Sequence, residues 1–254
     1  MSTNHLVLII QARTNSARFP YKVISDLCGA PLIERILQRV KRVRKIGTII
    51  VATTKRKDDD ILVDVAKSNK VEIFRGSEND LVDRYYQAAK GKNVKHILRL
   101  PADNPIPDPL EYNRLINYHL KTDNDFSSNI MNFMGNGYPC GIGVEIFTIK
   151  SLEKIWKFEK RKKYREHLAL NFYDYLNDKK NKKFNFKIGT VKCPKQISRP
   201  ELVFHVDYYK EYLFIKKLYQ YFWPIKKNFT TKDVLEWYDK IYSKLMKKWK
   251  KYLP

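Results

Sequence analysis

The chain has 254 residues, with 50 Lys and Arg against 27 Asp and Glu and a formal net charge of +23, a length that suffices for one large domain with a buried core. Its 43% apolar content argues against disorder, no apolar run nears the roughly 18–20 residues of a membrane span, and positions 1–5 lack the layout of a secretion signal. The basic residues fall in scattered runs, which reads as solvated faces without a specific nucleic-acid partner, and Cys28, Cys140 and Cys193 show no metal spacing, as in a reduced, cytoplasmic protein.

In chain order, apolar runs at Leu6–Ile10, Thr48–Ala52, Val71–Phe74 and Val94–Leu100 predict buried parallel strands. Helical patterns separate them at Leu32–Val43, Asp58–Asn69 and Asp80–Lys90. Pro31 suits the start of the first, and Asp58 or Asp59 would face the dipole of the second. This alternation predicts an α/β fold, a mainly parallel twisted sheet with flanking helices. Pro105, Pro107 and Pro109 then punctuate the exit from the fourth strand, and a helix runs on to about His119. Further strands are expected at Phe126–Ser128, Ile142–Phe147, Phe184–Val191 and Leu202–Val206. Helices are expected at Ser151–Phe158, Arg165–Leu176, Tyr209–Tyr221 and Thr231–Lys248. The last carries a stripe of Trp237, Ile241, Leu245 and Trp249. One domain over 1–254, with 208–254 as a helical extension, is the expected organisation.

The chemistry concentrates in Gln11–Lys22, a loop at the carboxyl end of the first strand, where open α/β sheets bind ligands. Arg13 and Arg18 offer planar forks of donors, and Lys22 a mobile point charge. Ala12, Ser16 and Ala17 let backbone approach a ligand, and Pro20 stiffens the loop. Such a loop suits a polyanion, and a nucleoside triphosphate fits. It lacks the G-x-x-x-x-G-K-[ST] of a P-loop.

The run Q-A-R-x-x-S-x-R-x-P-x-K at positions 11–22 resembles the opening signature of cytidylyltransferases that make CMP-activated acidic sugars. It is especially similar to the spore-coat polysaccharide cytidylyltransferase-like family. Further matches follow in order: Gly29–Leu32, Val51–Thr54, Gly76–Tyr86, Arg99–Pro105, Tyr138–Glu145, Arg165–His167 and His205–Asp207. The resemblance covers the chain to about residue 220. It implies a nucleotide-diphospho-sugar transferase (GT-A-like) fold and a CTP-dependent transfer of CMP to an acidic sugar or similar anionic acceptor, with pyrophosphate released, for surface glycans. It departs from the family pattern at Pro101 and Ala102, where Thr and Gly are usual.

On that likeness, Gln11, Ala12, Arg13, Ser16, Arg18, Lys22, Thr53, Arg84 and Ala102 are expected to bind nucleotide, with Arg13, Lys22 and Asp103 as catalytic groups. Asp103 lies just beyond the fourth strand, and a hard cation such as Mg²⁺ takes one or two carboxylates plus phosphate oxygens. The resemblance supplies Asp207 as its partner ligand. For the acceptor, Tyr138 and Glu145 sit on a Gly-broken strand whose backbone could lie against substrate; Glu145 could equally pair with an arginine. The likeness places Arg165 and His167 near the acceptor pocket. Arg84 and Arg99 interrupt apolar patterns and are expected ligand contacts, Arg99 on the acceptor side; each needs a phosphate or a core carboxylate. The same likeness makes a homodimer an expectation. Two other readings compete: a metal-dependent glycosyltransferase built on the D-x-D run Asp123-Asn124-Asp125, and a basic non-enzymatic binding module.

Overall fold

The structure is a computed structural model and describes residues 5–130 and 132–242. Its sheet is built from β1 (Leu6–Gln11), β2 (Thr48–Thr54), β3 (Glu72–Gly76), β4 (His96–Pro101), β5 (Phe126–Ser128), β6 (Glu145–Thr148) and β9 (Ile188–Gly189). The strand order is β3-β2-β1-β4-β6-β5-β9. The first four run parallel, β6 is antiparallel to both β4 and β5, and β9 runs parallel to β5. The chain steps outward from β1 to β3 and then returns to the other side of β1 for β4. The gap between the carboxyl ends of β1 and β4 is therefore a topological switch point.

Both sheet faces are covered, which explains the unbroken apolar runs of the inner strands. Leu6, Leu8 and Ile10 of β1 point into one core, against α1 (Leu32–Val40) and α4 (Pro109–Thr122). Val7 and Ile9 point into a second core, against α3 (Leu81–Ala89) and α5 (Ile149–Phe158). On the first side, α2 (Asp60–Ser68) also contributes Leu62, Val65 and Ala66. The closing helices α7 (Tyr209–Phe222) and α8 (Thr231–Trp237) add Ile215, Leu218, Tyr219, Val234 and Trp237 to that same core. Both helices of the expected extension thus bury apolar side chains in the main core. A π-helical turn at Tyr238–Tyr242 follows α8, and the remainder of the expected final helix, with Leu245 and Trp249 of its stripe, lies outside the described residues.

Three expected elements differ. The helix expected over Arg165–Leu176 is a short α6 (Lys162–Glu166), a 3-10 turn at Leu168–Asn171, and then a two-stranded ribbon of β7 (Tyr173–Asp174) and β8 (Lys179–Lys180). Asn171 breaks the helix because its buried side chain donates to Tyr164 O at 2.7 Å and Leu168 O at 3.0 Å. Past it, Phe172 stacks on Phe126 at 4.5 Å in the second core. Of Phe184–Val191 only β9 forms ladder pairs. Leu202–Val206 is no strand either: Cys140 N and O bond Leu202 O and Phe204 N, whereas Val206 N bonds Asp103 O at 2.8 Å. Two different partners preclude one continuous ladder.

Candidate active site

The loop after β1 is organised by a residue the sequence reading passed over. Thr14, 1% exposed, donates from N and Oγ1 to Asp59 Oδ1 at 2.7 and 2.8 Å. Its carbonyl accepts from Ser16 N at 3.0 Å and Tyr21 N at 2.8 Å, folding the loop back on itself. Asp59 also accepts from Thr54 Oγ1 at the end of β2. Its side chain caps no helix; it ties the loop to the sheet. Burial pushes the Asp59 carboxyl up, but the hydrogen bonds from Thr54 and Thr14 outweigh it, so the group is held below its ordinary value. Phe19 packs its ring 5.5 Å from Tyr209 and Tyr212, fixing the far side of the loop on α7.

Lys22 is the centre of the site. Its Nζ donates to Val206 O at 2.7 Å and lies 3.2 Å from Asp207 Oδ1 and 3.5 Å from Asp103 Oδ2. The two carboxylates, more than a hundred positions apart in sequence, converge because Ala102 N bonds Gln11 O and Val206 N bonds Asp103 O. Gly141 makes the second approach possible. Its φ of +88° suits glycine, and a Cβ there would collide with His205 N and Phe204 C. Arg18 pairs with Asp207 at 2.7 Å. Burial raises the Asp207 carboxyl, and Arg18 and Lys22 reverse that, leaving it below the usual range. His205 places Nε2 3.5 Å from Asp207 Oδ2 and Nδ1 3.1 Å from Cys140 Sγ.

These groups line a cavity of about 390 Å³ at the switch point. Gln11, Ala12, Arg13, Ser16, Arg18 and Lys22 form its β1 side; Ala102, Asp103 and Asp207 form its β4 side; Arg84 and His167 close it from α3 and the end of α6. Glu78, Leu81 and Glu166 also line it and were not expected. Their signal was present, since all three lie in or beside the motifs quoted above. Arg84 is 5% exposed, and no hydrogen bond satisfies its Nε. Burial pulls it below its ordinary value, and the positive charge of Arg13 adds to that. A buried guanidinium facing another cation is a seat prepared for an anion. Asp103 and Asp207 together present hard oxygens, a donor set suited to Mg²⁺ once phosphate completes it. Among the described residues no cluster of three or more His, Cys, Asp or Glu forms a metal cage.

Five expected contacts lie elsewhere. Arg99 pairs with Glu145, which also accepts from Tyr175 OH at 2.8 Å; Gln11 Oε1 bridges Arg99 Nε and Tyr85 OH at 3.1 Å each. This buried network braces β1, β4 and β6 behind the cavity, and Glu145 resolves to the arginine-pairing alternative. Tyr138 is fully buried, with its OH on Glu111. Thr53 is buried and does not line the cavity. Arg165 bonds Asp80 at 2.6 Å and the carbonyls of Trp156 and Glu159, strapping α6 to α3. The Gly-broken segment faces protein, since a Cβ at Gly143 would strike Asn129 O.

The D-x-D run also proves structural. Asp123 is the left-handed C-cap of α4 (φ 49°), and Asp125 accepts from Ser151 Oγ at 3.2 Å and Lys187 N at 2.9 Å. It precedes β5, whose first residue Phe126 pairs with Phe147 beside the amino end of β4. That is the opposite end of the sheet from Asp103.

Comparisons with known proteins give the family of the chain. A family model described as cytidylyltransferase matches residues 7–243. The spore coat polysaccharide biosynthesis protein SpsF of Bacillus subtilis is 28% identical over 221 residues, covering 85% of this chain and 87% of that one. A 3-deoxy-manno-octulosonate cytidylyltransferase of Anaeromyxobacter is 34% identical over 107 residues, 41% of this chain and 43% of the relative. A solved cytidylyltransferase structure from Leptospira borgpetersenii superposes with TM-score 0.83 at 28% identity, covering 94% of this chain and 95% of that one. A cavity of arginines, a lysine and paired carboxylates on this sheet, with a match over nearly all of the chain, places the protein in the cytidylyltransferase family, as a nucleotidyltransferase.

Proposed function

We propose that the chain joins CMP from CTP to an acidic sugar or similar anionic acceptor and releases pyrophosphate, for surface-glycan assembly. The observation that carries the reading is the meeting of Lys22 Nζ with Asp103 and Asp207 in the wall of a cavity that Arg13, Arg18 and Arg84 also line, with buried Arg84 feeling the positive charge of Arg13. Support for CTP and an acidic acceptor comes from the name of one relative, a 3-deoxy-manno-octulosonate cytidylyltransferase, and from the motif at positions 11–22.

A hydroxyl or anionic oxygen of the acceptor forms a bond to the α-phosphorus, a hydroxyl giving its proton to solvent, as the bond to the bridging oxygen breaks, and the bridging oxygen leaves with the electron pair as pyrophosphate. Arg13, Arg18 and Lys22 bind the β- and γ-phosphates and stabilise the charge that builds on the leaving group. Arg84 anchors a further phosphate oxygen from α3. Asp103 and Asp207 would hold Mg²⁺, whose bound charge supplies neutralisation of the α-phosphate. His167, at the end of α6, orients the acceptor, while Arg165 acts only by fixing that helix. Positioning and electrostatics supply the catalysis, with no covalent enzyme intermediate.

The test is pyrophosphate release from each nucleoside triphosphate with Mg²⁺ and a panel of sugar acids. CTP-dependent release is expected, falling about tenfold or more in Asp103→Asn and Arg13→Ala. Wild-type turnover by Asp103→Asn would overturn the proposal.

A further inference from the structure

Outside the catalytic cavity, and sharing no lining residue with it, α1 carries a second concentration of charge. Arg35, Gln38, Arg39 and Arg42 recur at i, i+3, i+4 and i+7 and so share one face of the helix and the turn that follows it. With Trp223, Lys227 and Asn228 from the end of α7 and its loop, they line a cavity of about 340 Å³ to which no carboxylate contributes. Small-ligand pockets start at about this size.

The guanidiniums are held rigidly, and those of Arg39 and Arg42 are incompletely satisfied. Arg35 lies 4.0 Å over the Trp223 ring and donates to Leu27 O at 2.7 Å, to Gln38 Oε1 at 2.9 Å and to Cys28 O. Arg39 is 1% exposed; its Nε and Nη2 reach Pro107 O at 2.9 Å and Phe229 O at 3.0 Å, yet its buried Nη1 has no partner. Arg42 Nη1 meets Asn228, and its Nε is likewise buried and unpartnered. Asp108 is the carboxylate whose charge both feel, but its oxygens accept from Leu110 N at 2.9 Å and from Thr231 N and Oγ1 at 2.7 Å each. Burial accordingly lowers both arginines from their ordinary value. Like charges one turn apart repel, and guanidinium does not deprotonate to relieve it. An external anion would.

We propose that this cavity is a second anion site that takes a phosphate group, the ligand whose oxygens match several guanidinium forks at once. It stands independently of the transfer reaction. The test is calorimetric titration at physiological salt with orthophosphate, pyrophosphate and a sugar phosphomonoester in separate arms, the tightest arm naming the source. Binding is expected to survive in Arg13→Ala, where the catalytic cavity is weakened, and to fall tenfold or more in Arg42→Ala/Lys227→Ala. The latter alters side chains at the cavity rim and is checked for wild-type circular dichroism. An exposed control pair, Lys179→Ala/Lys180→Ala, is expected to bind within twofold of wild type. The site is refuted if no anion binds Arg13→Ala. It is refuted equally if the Arg42/Lys227 variant binds like wild type, or if the lysine control loses as much.

Discussion

Replacing Lys22 by Met removes one charge and leaves most of the stem, so its consequences can be worked from the geometry. The side chain is 10% exposed, and the two carboxylates beside its Nζ are 32% and 22% exposed. Breaking a fully buried pair costs about 3–5 kcal/mol. Here both carboxylates keep access to water and Arg18 still neutralises Asp207, which reduces the loss to about 1–2 kcal/mol. For a chain of this size that lowers Tm by about 2–8 °C. The catalytic loss is larger. A preorganised donor to a developing charge is worth about 10²–10³ in kcat, or about 2.7–4 kcal/mol. Pyrophosphate release measured at a temperature where circular dichroism shows both proteins folded separates the two effects, and the fall should appear in kcat more than in KM. Turnover by Lys22→Met within about threefold of wild type would refute the placement of this lysine at the reacting phosphates.

Arg84→Met should raise Tm, because a buried charge with an unsatisfied nitrogen gives way to an apolar stem; about 1 kcal/mol of stabilisation is expected, alongside nucleotide affinity weakened tenfold or more. A lower Tm would show that the guanidinium has a structural partner. Gly141→Ala combines a φ of +88° with a Cβ driven into the backbone at His205 and Phe204. Denaturant unfolding should register a loss of about 2–4 kcal/mol, and a shift under about 0.5 kcal/mol would contradict that packing. Glu159 is fully buried and held at about 2 by hydrogen bonds from Arg161 at 2.7 Å and Lys183 at 2.9 Å, against the opposing pull of burial. Its contribution is therefore complete above its unfolded pKa and is lost as pH falls from about 5 toward 2. Because its partners are half-exposed, about 1–2 kcal/mol is expected. Glu159→Gln should trail wild type by that amount at pH 7, the gap closing as acid is added; a gap unchanged at pH 3 would refute the assignment.

Local pattern determined the first half of the fold and the cationic arm of the site. The strands β1, β2 and β4 are largely apolar on both faces, so their runs could be read without knowing what covers them, and the basic loop follows β1 directly in the chain. Asp103 was legible for the same reason, as a carboxylate just past a buried strand. Tertiary structure alone decided how the polar groups are distributed among partners. Thr14 and Asp59 look like ordinary loop and helix-start residues until the loop folds back and the carboxylate turns from its helix to the threonine. Arg84 and Arg99 each interrupt an apolar pattern in the same way, yet Glu145 pairs with Arg99, while the buried Nε of Arg84 has no hydrogen-bond partner among the described residues. The approach of Asp207 to Asp103 depends on Gly141 admitting an extended segment that no strand periodicity describes. Periodicity encodes which face of an element is buried; a charged group's partner is set by which segments meet in space, and that information is not local to the chain.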